Sequence, residues 1–178
     1  MNLITIALTL AIGITACANP EPPTDPTAVN PPPAPGTEVL PDAVATDILT
    51  RLGAAWATHV ATDVTDLYTD DGTVLNSNSG VLTRGRDALT ALIAEEHAGL
   101  MAGTQRATTL VGTHALRPDV ILVDATVVVS ADDPAREGFP SYFNQVLVLE
   151  RDADAYTDAG ARWRISDARA FRRDPPRG

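Results

Sequence analysis

The apolar side chains of residues 42–101 recur mainly at spacings of three and four, which is the period of a helix that packs on one side. This spacing predicts three helices, at 41–59, 64–68 and 85–101. The first of them is expected to begin at Pro41 and Asp42, because proline is favoured in the first turn of a helix and cannot continue one from before.

Strand patterns flank the third helix. Turn-forming residues at 69–72 are expected to lead into a short strand at 73–76, and a second short strand follows at 81–83. Four longer strands are predicted at 104–116, 120–130, 142–150 and 162–171. Short links between consecutive strands favour antiparallel pairing, so we expect an α+β domain with three N-terminal helices on a curved, mostly antiparallel sheet.

The N-terminal residues have a different pattern. Residues 2–16 form an uncharged apolar run that ends at Cys17, the single cysteine of the chain. The run is shorter than the roughly 20 residues of a membrane-spanning helix but suits an export signal. The sequence Ile14-Thr15-Ala16-Cys17 resembles the lipobox of bacterial lipoproteins, whose cysteine is acylated and becomes the mature N-terminus. The alternative is an uncleaved helix that associates with a membrane.

This resemblance implies a domain organisation. We expect 1–16 to be a signal peptide, 17–41 a lipidated cysteine and linker, 42–172 the folded domain and 173–178 a disordered tail. Residues 18–41 hold nine of the 14 prolines, which is typical of an extended spacer, although a ligand for a proline-binding module is an alternative. The domain would then be exported and anchored to a cell-envelope membrane by fatty acyl chains such as palmitate on Cys17.

Charge and residue types narrow the chemistry. The formal net charge of −10 disfavours nucleic acid as a partner, because an acidic body repels phosphate. Lipidation of Cys17 would leave no thiol for a disulfide or for catalysis. His59, His97 and His114 are dispersed along the chain, so the sequence predicts no metal and no other cofactor.

Three stretches resemble the nuclear-transport-factor-2-like superfamily, and within it the SnoaL-like and SgcJ/EcaC-type bacterial domains. They are Ala-Trp-Ala-Thr-His at 55–59 followed by 67–74, Gly-Arg-Asp-Ala-Leu at 85–89 followed by His97, and Trp-Arg-Ile at 163–165. The resemblance covers about 42–171 and implies a cone-shaped, cystatin-like fold. It leaves the activity open, because this fold hosts isomerases, cyclases, dehydratases and domains without catalysis.

Ketosteroid isomerases of this fold use a carboxylate base together with a tyrosine and a protonated acid as hydrogen-bond donors. Matching strand to strand places Asn76 at the position of the base, and places Leu52 and Gln145 near the donor positions. An amide cannot abstract a proton and a leucine cannot polarise a carbonyl, so this mechanism is not expected here.

His97 remains the candidate catalytic acid or base, since it lies on an otherwise apolar helix face and imidazole titrates near neutral pH. A hydrogen-bonded core histidine is the equal alternative. The expected ligand pocket consists of Trp56, Tyr68, Asn76, His97, Gln145 and Arg169. For Arg169 an ion pair with Asp167 is the favoured alternative, and a buried Asp124 would need Arg106 or Arg169 as its partner.

Three functions remain open. The sequence favours a binding module for a small, partly apolar ligand, because the polar positions of the expected pocket carry amides rather than acids. A SnoaL-like isomerase, cyclase or dehydratase that uses His97 is the second function. The third is a structural module that forms a homodimer through the valine-rich strand at 120–129.

Overall fold

The structure is a computed structural model that describes residues 40–76, 79–157 and 160–175. The expected signal peptide, Cys17 and the linker up to residue 39 lie outside the described residues, as does the end of the expected tail. The signal peptide, the lipidated linker and the tail therefore stay predictions.

The described residues form three helices, and the second lies three residues before its predicted position at 64–68 because Tyr68 already begins a strand. They are α1 (Pro41–Ala57), α2 (Ala61–Thr65) and α3 (Arg86–Ala98). Pro41 opens α1, and Asp42 lies in its first turn, where a carboxylate interacts favourably with the helix dipole. No helix among the described residues has the length and apolar content needed to cross a bilayer.

Six strands form one sheet. They are β1 (Tyr68–Leu75), β2 (Leu82–Arg84), β3 (Thr104–Arg117), β4 (Val120–Ala131), β5 (Ser141–Thr157) and β6 (Gly160–Arg173). Their order across the sheet is β2-β1-β6-β5-β4-β3. Only β1 and β6 pair in parallel, and the other neighbours are antiparallel. The α+β class with helices first and a mostly antiparallel sheet is confirmed.

The turn expected at 69–72 is wrong, because these residues belong to β1. Tyr68 pairs with Ile165 and Thr73 with Asp167, so the turn-forming residues are absorbed by an irregularity within the strand. Gly72 allows this path, since a Cβ atom there would lie 3.1 Å from the Thr69 carbonyl oxygen and 3.2 Å from the Tyr68 side chain.

A second irregularity lies in β6 and reverses the face of the strand. Leu149 of β5 pairs with Ile165, whereas the preceding Val148 pairs with Asp167, so Ser166 is an extra residue. Ile165 faces the core before this bulge, and Ala168 faces it afterwards. Regular alternation would place residues 163, 165, 167, 169 and 171 on one face, but the bulge puts Trp163 and Ile165 on the opposite face from Asp167 and Arg169.

The inner face of the sheet and α1 form the main core. Ile48 and Leu52 of α1 are buried together with Leu147, Leu149 and Ile165 of the sheet. Burial of each such side chain contributes about 1.5–3 kcal/mol relative to exposure, so this contact determines how α1 sits on the sheet.

Truncation of Leu147 tests this contact, because its side chain is fully buried. We expect Leu147→Ala to lower the free energy of unfolding by about 2–5 kcal/mol through lost burial and a residual cavity. Leu116→Ala removes the same atoms from a side chain that is 58% exposed and should change it by no more than about 0.5 kcal/mol. Urea unfolding measures both, and equal losses would contradict the described core.

Candidate functional site

A partly open cavity of about 120 Å³ lies between the helices and the inner face of the sheet. It separates two clusters of the core, one around Leu52 and Leu147 and the other around Trp56 and Phe143. Most of its wall is apolar, formed by Leu52, Trp56, Val64, Val74, Leu75, Leu92, Ile93, Met101, Val127, Val129, Phe143, Ala168 and Ala170. Such a wall suits an apolar guest.

Five polar side chains reach the same cavity, namely Tyr68, Asn76, Glu96, Arg106 and Gln145. The Asn76 amide donates to a carboxylate oxygen of Glu96 across 2.9 Å. The Arg106 guanidinium donates through Nη2 to the Gln145 carbonyl oxygen. The cavity therefore carries a carboxyl–amide pair and a guanidinium–amide pair within an apolar wall.

Four contacts hold the Trp56 side chain and the Tyr68 backbone, which belong to two of the three aromatic residues that line the cavity. Trp56 Nε1 donates to Thr104 Oγ1 across 3.3 Å, and the Arg106 guanidinium lies 5.7 Å from the centre of the Trp56 ring. The carbonyl oxygen of Tyr68 accepts hydrogen bonds from Arg86 at 3.0 Å and Arg164 at 3.1 Å. Tyr68 is thus held through its backbone, which leaves its phenol directed by packing alone.

Burial shifts the titration of the cavity groups. It raises the pKa of Tyr68 to about 12, although the charge of Arg106 acts in the opposite direction, so the phenol is neutral at pH 7. Burial likewise raises the pKa of Glu96, and the hydrogen bond from Asn76 opposes this. It lowers the pKa of Arg106, which remains charged because guanidinium is a very strong base.

Four of the six expected pocket residues line the cavity: Trp56, Tyr68, Asn76 and Gln145. Leu52, matched by sequence to a donor position, also lies in the wall. His97 and Arg169 are not among the lining residues.

His97 packs behind Trp56 instead of facing the cavity. Its ring meets the edge of Trp56 at a centroid distance of 4.6 Å and approaches His59 at 5.1 Å. Neither ring nitrogen has a hydrogen-bond partner among the described residues. Leu92, Ile93 and Glu96 of α3 face the cavity, and the helical rotation of about 100° per residue places His97 at the margin of this sector, beyond Ile93.

Arg169 lies on the outer face of the sheet because of the bulge at Ser166. Its Nε donates to Asp167 Oδ2 across 2.8 Å, and half of its side chain is exposed. The favoured ion pair with Asp167 is confirmed, and a place for Arg169 in the pocket is wrong. Asp124 is half-buried on β4, and neither Arg106 nor Arg169 pairs with it.

Sequence reasoning missed Glu96 and the place of Arg106 in the cavity. A signal was available for both. Glu96 follows Leu92 by four positions and Ile93 by three, which is the spacing of one helix face. Arg106 lies two residues from Thr104 and two from Thr108 along β3, and residues two apart on a strand point to the same side of the sheet.

No group of three histidine, cysteine, aspartate or glutamate side chains is arranged as metal ligands within residues 40–76, 79–157 and 160–175. The polar groups that line the cavity are one guanidinium, one carboxyl group, one phenol and two amides.

Comparison with known proteins places the fold. The sequence matches no family model and no curated protein. A domain of unknown function with a cystatin-like fold from Nostoc punctiforme has a TM-score of 0.64 at 10% identity, over 75% of this chain and 78% of that one. A nuclear-transport-factor-2-like protein of unknown function from Shewanella oneidensis has a TM-score of 0.58 at 13% identity, over 74% and 99%.

The fold is cystatin-like and nuclear-transport-factor-2-like. A ketosteroid isomerase-like protein from Erwinia carotovora is also similar, with a TM-score of 0.55 at 16% identity, over 75% of this chain and 94% of that one. Identities this low establish the fold alone, so function must be argued from the cavity of this nuclear-transport-factor-2-like domain.

The environment of His97 predicts a pH dependence of stability. Burial lowers the pKa of His97, so as the pH falls below about 6.5 the unfolded chain takes up this proton first and folding loses stability. We expect the free energy of unfolding to fall less between pH 7 and pH 5 in His97→Phe than in the wild type. Other groups, including Glu96, titrate in both proteins and cancel in the difference.

His114→Phe is the matched control, because His114 is exposed on β3. This variant should keep the wild-type dependence. Denaturant unfolding at the two pH values provides the measurement, and identical slopes for His97→Phe and wild type would show that His97 does not titrate as its burial requires.

Proposed function

We propose that this domain binds a small, partly apolar molecule in the cavity between its helices and sheet. The observation that carries the proposal is the cavity itself. It has a volume of about 120 Å³ and a mostly apolar wall, and five polar side chains line it. A space of this size holds several waters, since one water needs roughly 10–15 Å³ measured in the same way.

Displacement of these waters would favour a guest with apolar surface. Removal of apolar surface from water contributes about 25 cal/mol per Å² on both sides of the contact. Trp56, Val129 and Phe143 offer such surface, while Tyr68, Asn76 and Gln145 can orient polar groups of the guest. The arrangement matches the general composition of small-molecule sites.

Binding is favoured over catalysis through His97 by the same geometry. His97 does not line the cavity, and the Trp56 ring contacts it from the cavity side. A general acid or base must come within hydrogen-bond reach of the reacting group. Asn76, at the position matched to an isomerase base, cannot take up a proton.

A filled cavity tests the proposal. We expect Ala170→Leu, which places a larger apolar side chain in the cavity wall, to abolish the rise in melting temperature that small one- and two-ring compounds give with the full-length wild-type chain. Ala115→Leu is the control, because Ala115 is exposed on β3 and this variant should respond like the wild type. Absence of any stabilising compound, or stabilisation that survives Ala170→Leu, would contradict the proposed site.

The proposed setting of this function is the cell envelope, with the domain held to a membrane by acyl chains on Cys17. Support comes from the apolar run 2–16, the residues Ile14-Thr15-Ala16-Cys17 and the proline-rich segment that follows.

Metabolic labelling tests this setting. In a bacterial host fed an alkynyl palmitate analogue, the full chain should carry the label and sediment with membranes, whereas Cys17→Ser should lose both properties because no other thiol is present. An unlabelled wild-type chain, or a Cys17→Ser chain that keeps the label, would exclude the anchor.

A further inference from the structure

We propose that the guest of the cavity carries a carboxylate, which binds the guanidinium of Arg106 and the phenol of Tyr68. This inference rests on the proposed function, since it specifies the chemical class of the molecule that the cavity holds: a small apolar carboxylic acid in its ionised form.

The first argument is the charge balance of Arg106. Its hydrogen-bond partners among the described residues are neutral: Nη2 donates to Gln145, and Nε donates to Thr108 Oγ1 across 3.2 Å. No carboxylate oxygen of the described residues lies within 4.0 Å of its nitrogens. A cation that is partly removed from water without a counter-charge is costly, and an anionic guest would supply the missing charge.

The second argument is the number of unused donors. A guanidinium has five N–H groups, and Arg106 uses two nitrogens in hydrogen bonds to the described residues. Tyr68 is only 5% exposed and lines the cavity, yet its hydroxyl makes no hydrogen bond to a described residue. Arg106 and Tyr68 thus line the cavity with N–H and O–H donors that the described residues do not fully satisfy.

Tyr68 and Arg106 line the same cavity, so one guest can reach both donors. Each also changes the pKa of the other through its charge. Because the Tyr68 phenol stays protonated up to about pH 12, it can donate throughout the physiological range. A planar guanidinium beside a phenol matches the two oxygens of a carboxylate.

Glu96 does not supply the missing charge. Its carboxyl group accepts from Asn76, and burial raises its pKa, so its environment disfavours the charged form. The cavity also disfavours a dianionic guest such as a phosphate monoester, because Arg106 is the one cation among the described lining residues and could balance only one negative charge. A monoanion with an apolar frame fits both conditions.

Paired compounds test this inference with the full-length chain. The probes are cyclohexanecarboxylate with cyclohexanecarboxamide, and 2-naphthoate with 2-naphthamide, measured by isothermal titration calorimetry at about 0.15 M salt. Each carboxylate should bind at least tenfold more tightly than its amide. This preference should disappear in Arg106→Gln, while amide binding persists, and should shrink several-fold in Tyr68→Phe.

The matched control is Arg117→Gln, because Arg117 lies on the same strand as Arg106 and two thirds of its side chain is exposed. It should keep the wild-type preference. Equal binding of acid and amide by the wild type would overturn the carboxylate assignment and leave the proposed binding function intact, whereas absence of binding by all four compounds would overturn both. If Arg106→Gln does not fold, the wild-type ratio and Tyr68→Phe still decide.

Discussion

The packing of α1 across the inner face of the sheet is the contact on which the rest of this structure depends. Ile48 and Leu52 on the helix and Leu147 and Leu149 on the sheet are almost fully buried in this contact. Further along α1, Trp56 belongs to a second core cluster. A space remains between this cluster and the one around Leu52 and Leu147. The space between them is the cavity, so the proposed ligand site is a consequence of how one helix lies on one curved sheet.

The charge inside this cavity supports the proposal that it is a binding site and not an incompletely packed part of the core. An apolar core of the same shape would avoid the cost of desolvating Arg106, and fully apolar replacements of buried charges are often neutral or stabilising. Residues that break the local rules of stability commonly do so for function. The guanidinium of Arg106, held by Gln145 and stacked near Trp56, is such a residue in this domain.

Hydrophobic spacing predicted most elements of the fold, but it misplaced α2 and the start of β1. The apolar period of residues 41–57 and 86–98 gives α1 and α3, and alternation along 120–131 gives β4, because burial on one side imposes these periods. The irregularities at 69–72 and at Ser166 were not predictable from spacing, since each arises from pairing between strands that are distant in sequence. The misplacement of Arg169 follows directly from the second irregularity.

The sequence predicted only part of the candidate site, for a related reason. Trp56, Tyr68, Asn76 and Gln145 lie in elements whose faces the pattern defines, whereas Glu96 and Arg106 have charged side chains that a sequence pattern assigns to solvent. The position of His97 on an apolar helix face suggested a catalytic group, but its ring packs against Trp56 and does not line the cavity. Dimerisation through the outer face of β4 stays a prediction.

The central claim is that Arg106 receives an anionic group inside the cavity, and a crystal structure of the full-length chain with 2-naphthoate tests it most directly. The account predicts the naphthalene ring against Trp56 and Phe143, with the carboxylate within hydrogen-bond distance of the Arg106 guanidinium and the Tyr68 hydroxyl. A naphthoate bound outside the cavity, or inside it with its carboxylate directed to solvent and Arg106 still bonded only to Gln145 and Thr108, would contradict the account.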